Sequence, residues 1–341
     1  MKAIGYTQSL AIENQDSLQD IELEQPIAKG RDVLIKVKAI AVNPVDTKIR
    51  NNVAPPEGEY KVIGWDAVGE IVATGEQASL FSPGESVYYA GALSRAGCNA
   101  QYQLVDERII AHKPKSLTDS QAAALPLTSI TAWEMLFDHL AIKQQSVESD
   151  NESDEVVLVV GAAGGVGSIL IQILKAITGA TVIATASRES SQEWVKKLGA
   201  DYVVDHTKPL AEQVEALNIG QVTHVASLNG TGSYFESYTQ MLAPFGKIAL
   251  IDGPESIDFT LLKAKSLSLH YVFMFTRAAF ETKDMAEQGR LLARIAQLID
   301  QGVIQTTVGK NLGLINAENL RVAHKELESG TSIGKIVLEG F

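Results

Sequence analysis

The chain has 341 residues, 45% of them hydrophobic, which exceeds the usual length of a single core and predicts two domains. Its net charge of −12, with Lys and Arg scattered rather than clustered, argues against nucleic acid as a partner. The single cysteine, Cys98, excludes an intramolecular disulfide and a cysteine-rich zinc site, and fits a reducing cytoplasm.

From Met1 to about Leu125 the signals are those of strands. "DVLIKVKAIAVN" alternates apolar and polar residues, and "AVGEIVATGE", "ESVYYAGAL" and "QYQLVDERIIAH" follow with Gly, Pro and Asn between them. The N-terminus lacks a signal-peptide core and no segment offers a membrane span, so no membrane association is expected. "ESDNESDE" at 148–155 reads as a hydrated acidic loop.

The central region changes character. Apolar runs at 156–160, 181–185, 202–205, 223–228, 247–252 and 267–275 mostly alternate with helical stretches, the pattern of a doubly wound parallel sheet. "DMAEQGRLLARIAQLIDQG" reads as the last helix of that region, with apolar residues every three or four positions. The tail after it reads strand, helix, strand, and is expected to return to the N-terminal domain. The domains predicted are 1–125 with 305–341, and 126–304.

"VVLVVGAAGGVGSILIQILKAI" carries the strongest chemical signal. A buried strand runs into Gly161, Gly164, Gly165, Val166 and Gly167 and then into an apolar helix. Glycine permits a tight turn and close approach to a pyrophosphate, and the helix N-terminus favours the anion. Gly167, lacking a Cβ, lets helix and strand pack closely. The spacing departs from strict G-x-G-x-x-G, since Ala162 takes the first glycine position. An NAD site usually carries an acidic residue at the end of the second strand. Here "TVIATASRES" places Ser187 and Arg188 before any acid, which favours the 2′-phosphate of NADPH.

With "AVNPVDTKIR" and "SLTDSQAAALPLTSITAWEML", these residues resemble the medium-chain dehydrogenase/reductase superfamily over essentially the whole chain. The resemblance implies an α/β fold, a GroES-like β domain plus a Rossmann domain with a doubly wound parallel sheet, and a nicotinamide cleft where they meet. Zinc alcohol dehydrogenases of the superfamily place three ligands where this chain has Asn43, Trp65 and about Leu127. Trp and Leu are not zinc ligands and Asn is a poor one.

The remaining pattern is similar to the zinc-free quinone oxidoreductase and alkenal reductase branch, and to bacterial proteins named zinc-type alcohol dehydrogenase-like. That resemblance implies reduction of quinones or α,β-unsaturated carbonyls by NADPH. The rivals are a zinc-free enoyl-thioester reductase and a non-catalytic NADPH-binding protein. It also implies a homodimer through the sheet edge at 267–275.

Several residues are candidates. Asn43 positions nicotinamide or substrate, or forms an Asx turn before Pro44. Lys48 stands where the zinc enzymes carry a proton-relay histidine. Trp65 fills the vacated volume as a cleft wall, or is core. Of Tyr88 and Tyr89, alternation points one inward, and Tyr89 is taken. Thr131 on the linking helix, Asn229, Gly230 and Gly253 at strand ends, and Phe273 and Phe275 are candidate cofactor contacts. Lys335 is a candidate phosphate partner.

Overall fold

The computed structural model describes residues 1–147 and 153–341. Most of the acidic run, 148–152, therefore lies outside the described residues. The chain divides into two compact units, Met1–Ile130 with Phe275–Phe341, and Thr131–Met274.

The first unit begins with β1 (Lys2–Tyr6), β2 (Gln19–Glu22), β3 (Asp32–Val42), β4 (Lys61–Val62), β5 (Ala67–Thr74), β6 (Ser86–Tyr89), β7 (Tyr102–Asp106) and β8 (Ile110–His112). The second unit contains β9 (Val156–Val160), β10 (Thr181–Thr185), β11 (Tyr202–Val204), β12 (Val222–Ser227), β13 (Leu242–Leu250) and β14 (Ser268–Tyr271). The chain then completes the first unit with β15 (Val308–Asn311) and β16 (Lys335–Glu339).

In the second unit the six strands are all parallel, in the order β11-β10-β9-β12-β13-β14. Helices such as Gly165–Ile177 and Thr231–Met241 connect successive strands. Val156–Val160 is buried at every position because it lies mid-sheet with cover on both faces. Chain order reverses between β9 and β12, the switch point at which doubly wound sheets open a crevice at their carboxyl ends. The last strand is shorter than "LSLHYVFMF" suggests. It ends at Tyr271, and the following residues turn out of the sheet into the helix Thr276–Ala279.

The first unit has a seven-stranded sheet in the order β15-β16-β3-β5-β6-β8, with β7 also on β3, and a three-stranded sheet β2-β1-β4. β3 serves three partners because it is 11 residues long and its pairing with β5 shifts register twice. The tail closes on it: β16 pairs antiparallel with β3, setting Ile336 opposite Val42 and Leu338 opposite Ile40.

The helix Glu287–Asp300 groups with this unit, although the pattern of alternating strands and helices assigned it to the Rossmann half. Its apolar stripe of Leu291, Leu292, Ile295, Leu298 and Ile299 is buried. The Tyr88 hydroxyl donates to the carbonyl of Leu292 at 2.5 Å, and a Cβ on Gly289 would stand 2.6 Å from the Arg108 carbonyl oxygen. The change of unit falls at Phe275 rather than near residue 304.

The tail helix Ala317–Glu328 is joined to the helix Pro44–Asn52 by an ion pair between Glu328 and Arg50, whose side chain is fully buried. His324 lies beside Arg50 with no exposure, and among the described residues neither ring nitrogen has a hydrogen-bond partner. Burial, reinforced by the Arg50 charge, pushes its imidazole down to about 3. The folded protein thus keeps His324 neutral, whereas the unfolded chain takes up a proton near pH 6.5. Its contribution is fully present above about pH 6.5 and is lost as pH falls toward 3. Between pH 6.5 and 5 this costs about 2 kcal/mol. Burial also depresses His224, to about 4, so it adds a slope of the same sign. Urea midpoints at pH 7 and pH 5 are expected to differ by clearly less in His324→Leu than in the native chain.

Candidate functional site

The glycine-rich turn sits at the switch point of the second unit. Gly161 ends β9 with φ +79°, and its N–H donates to the Thr185 hydroxyl at 3.2 Å. A Cβ there would stand 2.9 Å from Asn229 Oδ1, so the ends of β9 and β12 crowd together. Gly164 caps the helix Gly165–Ile177. A Cβ on Gly167 would lie 2.4 Å from the Ala162 carbonyl oxygen, which is backbone and cannot move aside. Glycine is therefore required for the turn and the helix to pack.

The helix N-terminus has no side-chain cap, which leaves its first N–H groups free to meet an anion. Gly161, Gly164, Gly165 and Val166 are half-buried, while Asn229, Gly230 and Gly253 are exposed. Gly230 takes φ +64° at the start of Thr231–Met241, and a Cβ on Gly253 would meet open space. Asp252, which sequence reasoning passed over, accepts from the Thr231 N–H at 2.9 Å and also from the Thr231 hydroxyl. A carboxylate at a strand's carboxyl end was the available signal. At the end of β10, Ser187 is half-buried, Arg188 is exposed, and the Arg188 N–H donates to Ser191 Oγ at 3.2 Å. Thr131 is buried, and Phe273 is half exposed beyond the end of β14. These residues fit a nicotinamide dinucleotide: the turn tolerates no Cβ at Gly161 or Gly167, and no carboxylate stands at the end of β10.

The second cluster lies in the first unit. Asn43 precedes the helix Pro44–Asn52, whose N3 residue Asp46 accepts from the Asn43 N–H at 2.8 Å. The Asn43 side-chain amide donates to Asp66 Oδ2 at 2.9 Å and to the Trp65 carbonyl at 3.3 Å. The Leu127 N–H donates to Asp66 Oδ1 at 2.7 Å. Lys335 reaches the same place: its ammonium is 2.9 Å from Asp66 Oδ2, donates to Val42 O at 2.9 Å, and donates to Asn43 Oδ1. Asn43, Asp46, Asp66 and Lys335 are all 3% exposed or less. Burial raises the Asp66 carboxyl above the ordinary range, opposed chiefly by the Lys335 charge. Burial likewise pushes Asp46 up to about 7.

Three expectations change here. Lys335 has no proton left for a phosphate, because its three donors already have three acceptors. Asn43 does not present a free amide, since that amide orients Asp66. Tyr88 and Tyr89 are both fully buried, because the helix Glu287–Asp300 covers the face that alternation assigned to solvent. Trp65 is 1% exposed, its indole N–H donates to the Ala92 carbonyl at 3.2 Å, and its ring meets Phe275 edge to face at 6.2 Å. Trp65 and Phe275 are thus packed against each other rather than presented as an open wall. Lys48 is exposed on the helix Pro44–Asn52. Cys98 is buried, donates to the Asp66 carbonyl at 3.4 Å, and has its thiol ionisation raised by burial, so it is a packed residue. Sequence reasoning also missed Asp46, although Asp three residues after an Asn-Pro cap is a capping-box signal.

Two family models match: an alcohol dehydrogenase GroES-like domain over residues 29–115, and a zinc-binding dehydrogenase domain over residues 165–289. A Staphylococcus epidermidis zinc-type alcohol dehydrogenase-like protein is 38% identical over 339 residues, covering 99% of each chain. The chain belongs to the medium-chain dehydrogenase/reductase superfamily. A solved structure from Rhizobium etli, provisionally described as a zinc-dependent alcohol dehydrogenase, is 49% identical with a TM-score of 0.95, covering 100% of this chain and 98% of that one. A mycobacterial quinone oxidoreductase structure is 28% identical with a TM-score of 0.79, covering 99% of each chain. The protein is an oxidoreductase of that superfamily. Among the described residues no helix is long and apolar enough to cross a membrane.

Zinc, which the family model's description implies, does not fit this donor set. Trp65 offers an N–H that is already donated, and Leu127 offers an N–H donated to Asp66. Asn43 presents its oxygen to an ammonium. A buried cation beside these positions opposes a second, divalent one.

Proposed function

We propose that this chain is an NADPH-dependent, zinc-independent reductase of quinones and α,β-unsaturated ketones and aldehydes. The observation that carries the reading is the Asn43–Asp66–Lys335 trio, whose donors and acceptors satisfy one another where a Lewis acid would have to sit. Oxidising a simple alcohol without a metal leaves a strongly basic alkoxide unsupported. Reducing a conjugated carbonyl places the charge on an enolate or hydroquinone oxygen, which hydrogen-bond donors can stabilise. The structural neighbour described as a quinone oxidoreductase supports the same substrate class.

The cofactor's nicotinamide supplies two electrons and one hydrogen as hydride. Gly161, Gly164, Gly165, Val166 and Gly167 receive the pyrophosphate at the N-terminus of Gly165–Ile177. Ser187 and Arg188 receive the 2′-phosphate, and Thr131, Asn229, Gly230, Gly253 and Phe273 contribute contacts along the dinucleotide. Lys48, an exposed ammonium one turn into its helix, holds the nicotinamide ribose and helps to move a proton. A homodimer through β14 is supported by its place at the end of the sheet, with Tyr271 at 59% and Phe273 at 52% exposure beside it.

Following NADPH absorbance with a benzoquinone, an enal, a crotonyl thioester and a simple ketone tests the reading. Turnover is expected with the quinone or the enal, and none with the simple ketone. Tight NADPH binding without turnover of any substrate would overturn it. For cofactor choice, Arg188→Ala is expected to shift preference toward NADH by about tenfold, the scale of one charge-assisted contact. An unchanged NADPH-to-NADH ratio of kcat/KM would remove Arg188 from the phosphate site.

A further inference from the structure

Charge arriving on a substrate oxygen needs a donor from this chain, and the polar groups around Asn43 and Trp65 are almost all in use. The Asn43 amide gives its protons to Asp66 and the Trp65 carbonyl, and Lys335 gives all three of its own. The Trp65 indole is donated to Ala92, the Thr47 hydroxyl to Pro44, the Cys98 thiol to Asp66, and the Tyr88 hydroxyl to Leu292.

Tyr89 is different. Its side chain is fully buried, yet among the described residues its hydroxyl has no hydrogen-bond partner, a property shared on the linking helix by the buried Ser129 hydroxyl. Leaving a hydroxyl unpaired in a dry interior is costly, and such a group in a native protein calls for a partner. The strand register fixes its place: Tyr89 stands opposite Ala67 on β5, next in sequence to Asp66, and opposite Ile110 on β8.

We infer that the Tyr89 hydroxyl is the hydrogen-bond donor to the carbonyl oxygen of the bound quinone or enone. The inference rests on the reductase reading given above. Burial raises the phenol's ionisation well above its ordinary value, so Tyr89 keeps its proton and acts as a neutral donor. The electron count closes without it. Hydride from the nicotinamide forms a C–H bond at the β-carbon, and the π pair moves onto oxygen, where the Tyr89 bond strengthens. One proton from solvent then adds at the α-carbon, which balances the two electrons and one hydrogen that a bound nicotinamide would supply. With a quinone, hydride and proton together give the hydroquinone.

Tyr89→Phe separates this role from plain packing. The urea midpoint is expected to hold or rise, because the change removes an unpaired buried hydroxyl, and NADPH affinity is expected to stay the same. For 2-cyclohexenone, kcat is expected to fall on the order of 100-fold, the scale of one lost oxyanion donor, with KM moving less than about threefold. Cyclohexanone binding in the presence of NADP⁺, read by tryptophan fluorescence, is expected to weaken about tenfold, the loss of a single hydrogen bond. Native kcat in the variant, or a lower midpoint with unchanged kinetics, would overturn the inference. If the native protein turns over neither quinone nor enone, the reductase reading fails. Cyclohexanone affinity then decides Tyr89 alone: weaker binding in the variant supports it, and equal binding overturns it.

Discussion

Lys335→Met is expected to lower the unfolding free energy by about 3–5 kcal/mol, the loss seen when one partner of a buried ion pair is removed. The variant leaves Asp66 fully enclosed with only the Leu127 N–H and the Asn43 amide to hold its charge. Asp66 then takes up a proton rather than remain a bare buried anion, so the deficit grows with pH. Removing both charges together, in Asp66→Asn with Lys335→Met, is expected to recover much of the loss, because a buried pair compensates itself more than it stabilises the fold. Urea unfolding of the native chain, the two single variants and the double variant at pH 7 and 9 gives the coupling energy. Additive losses would show that Lys335 and Asp66 act independently.

Gly167→Ala carries the second large effect, and it falls on the cofactor. The added Cβ would lie 2.4 to 2.6 Å from three backbone atoms of Ala162, so the helix Gly165–Ile177 must move away from the turn. Displacing that helix moves the N–H groups that are proposed to meet the pyrophosphate. NADPH affinity is expected to fall at least about tenfold, with a stability loss of about 1–3 kcal/mol from overpacking. Fluorescence titration with NADPH and urea unfolding measure the two parts. Native affinity in Gly167→Ala would contradict the assignment of the turn.

The parts of this structure that a sequence can disclose are those fixed by local periodicity. β9 and β10 occupy the residues that their apolar runs mark, and the glycine turn lies between strand and helix as its composition demands. The absence of three zinc ligands was equally legible, because side-chain chemistry at Trp65 and Leu127 does not depend on conformation. What was not legible depends on distant contacts. Nothing near Lys335 in the sequence announces Asp66, and a lysine close to a predicted strand reads as a phosphate ligand until the pairing of β16 with β3 brings it beside Asn43. Two-residue alternation gave Tyr88 an outward face, but the helix Glu287–Asp300 covers it. That helix in turn carries an ordinary amphipathic pattern, which says how much of it is buried and not which unit buries it. The unpaired Tyr89 hydroxyl could be found only by accounting for every donor around it.

The central claim is that this member of a family described as zinc-binding performs its chemistry without the metal. Its most direct test is elemental analysis of the purified protein, paired with NADPH-dependent quinone reduction before and after exhaustive chelation. Substoichiometric zinc with full activity after chelation is the expected result. One zinc per chain, with activity that disappears on chelation and returns with added zinc, would contradict it.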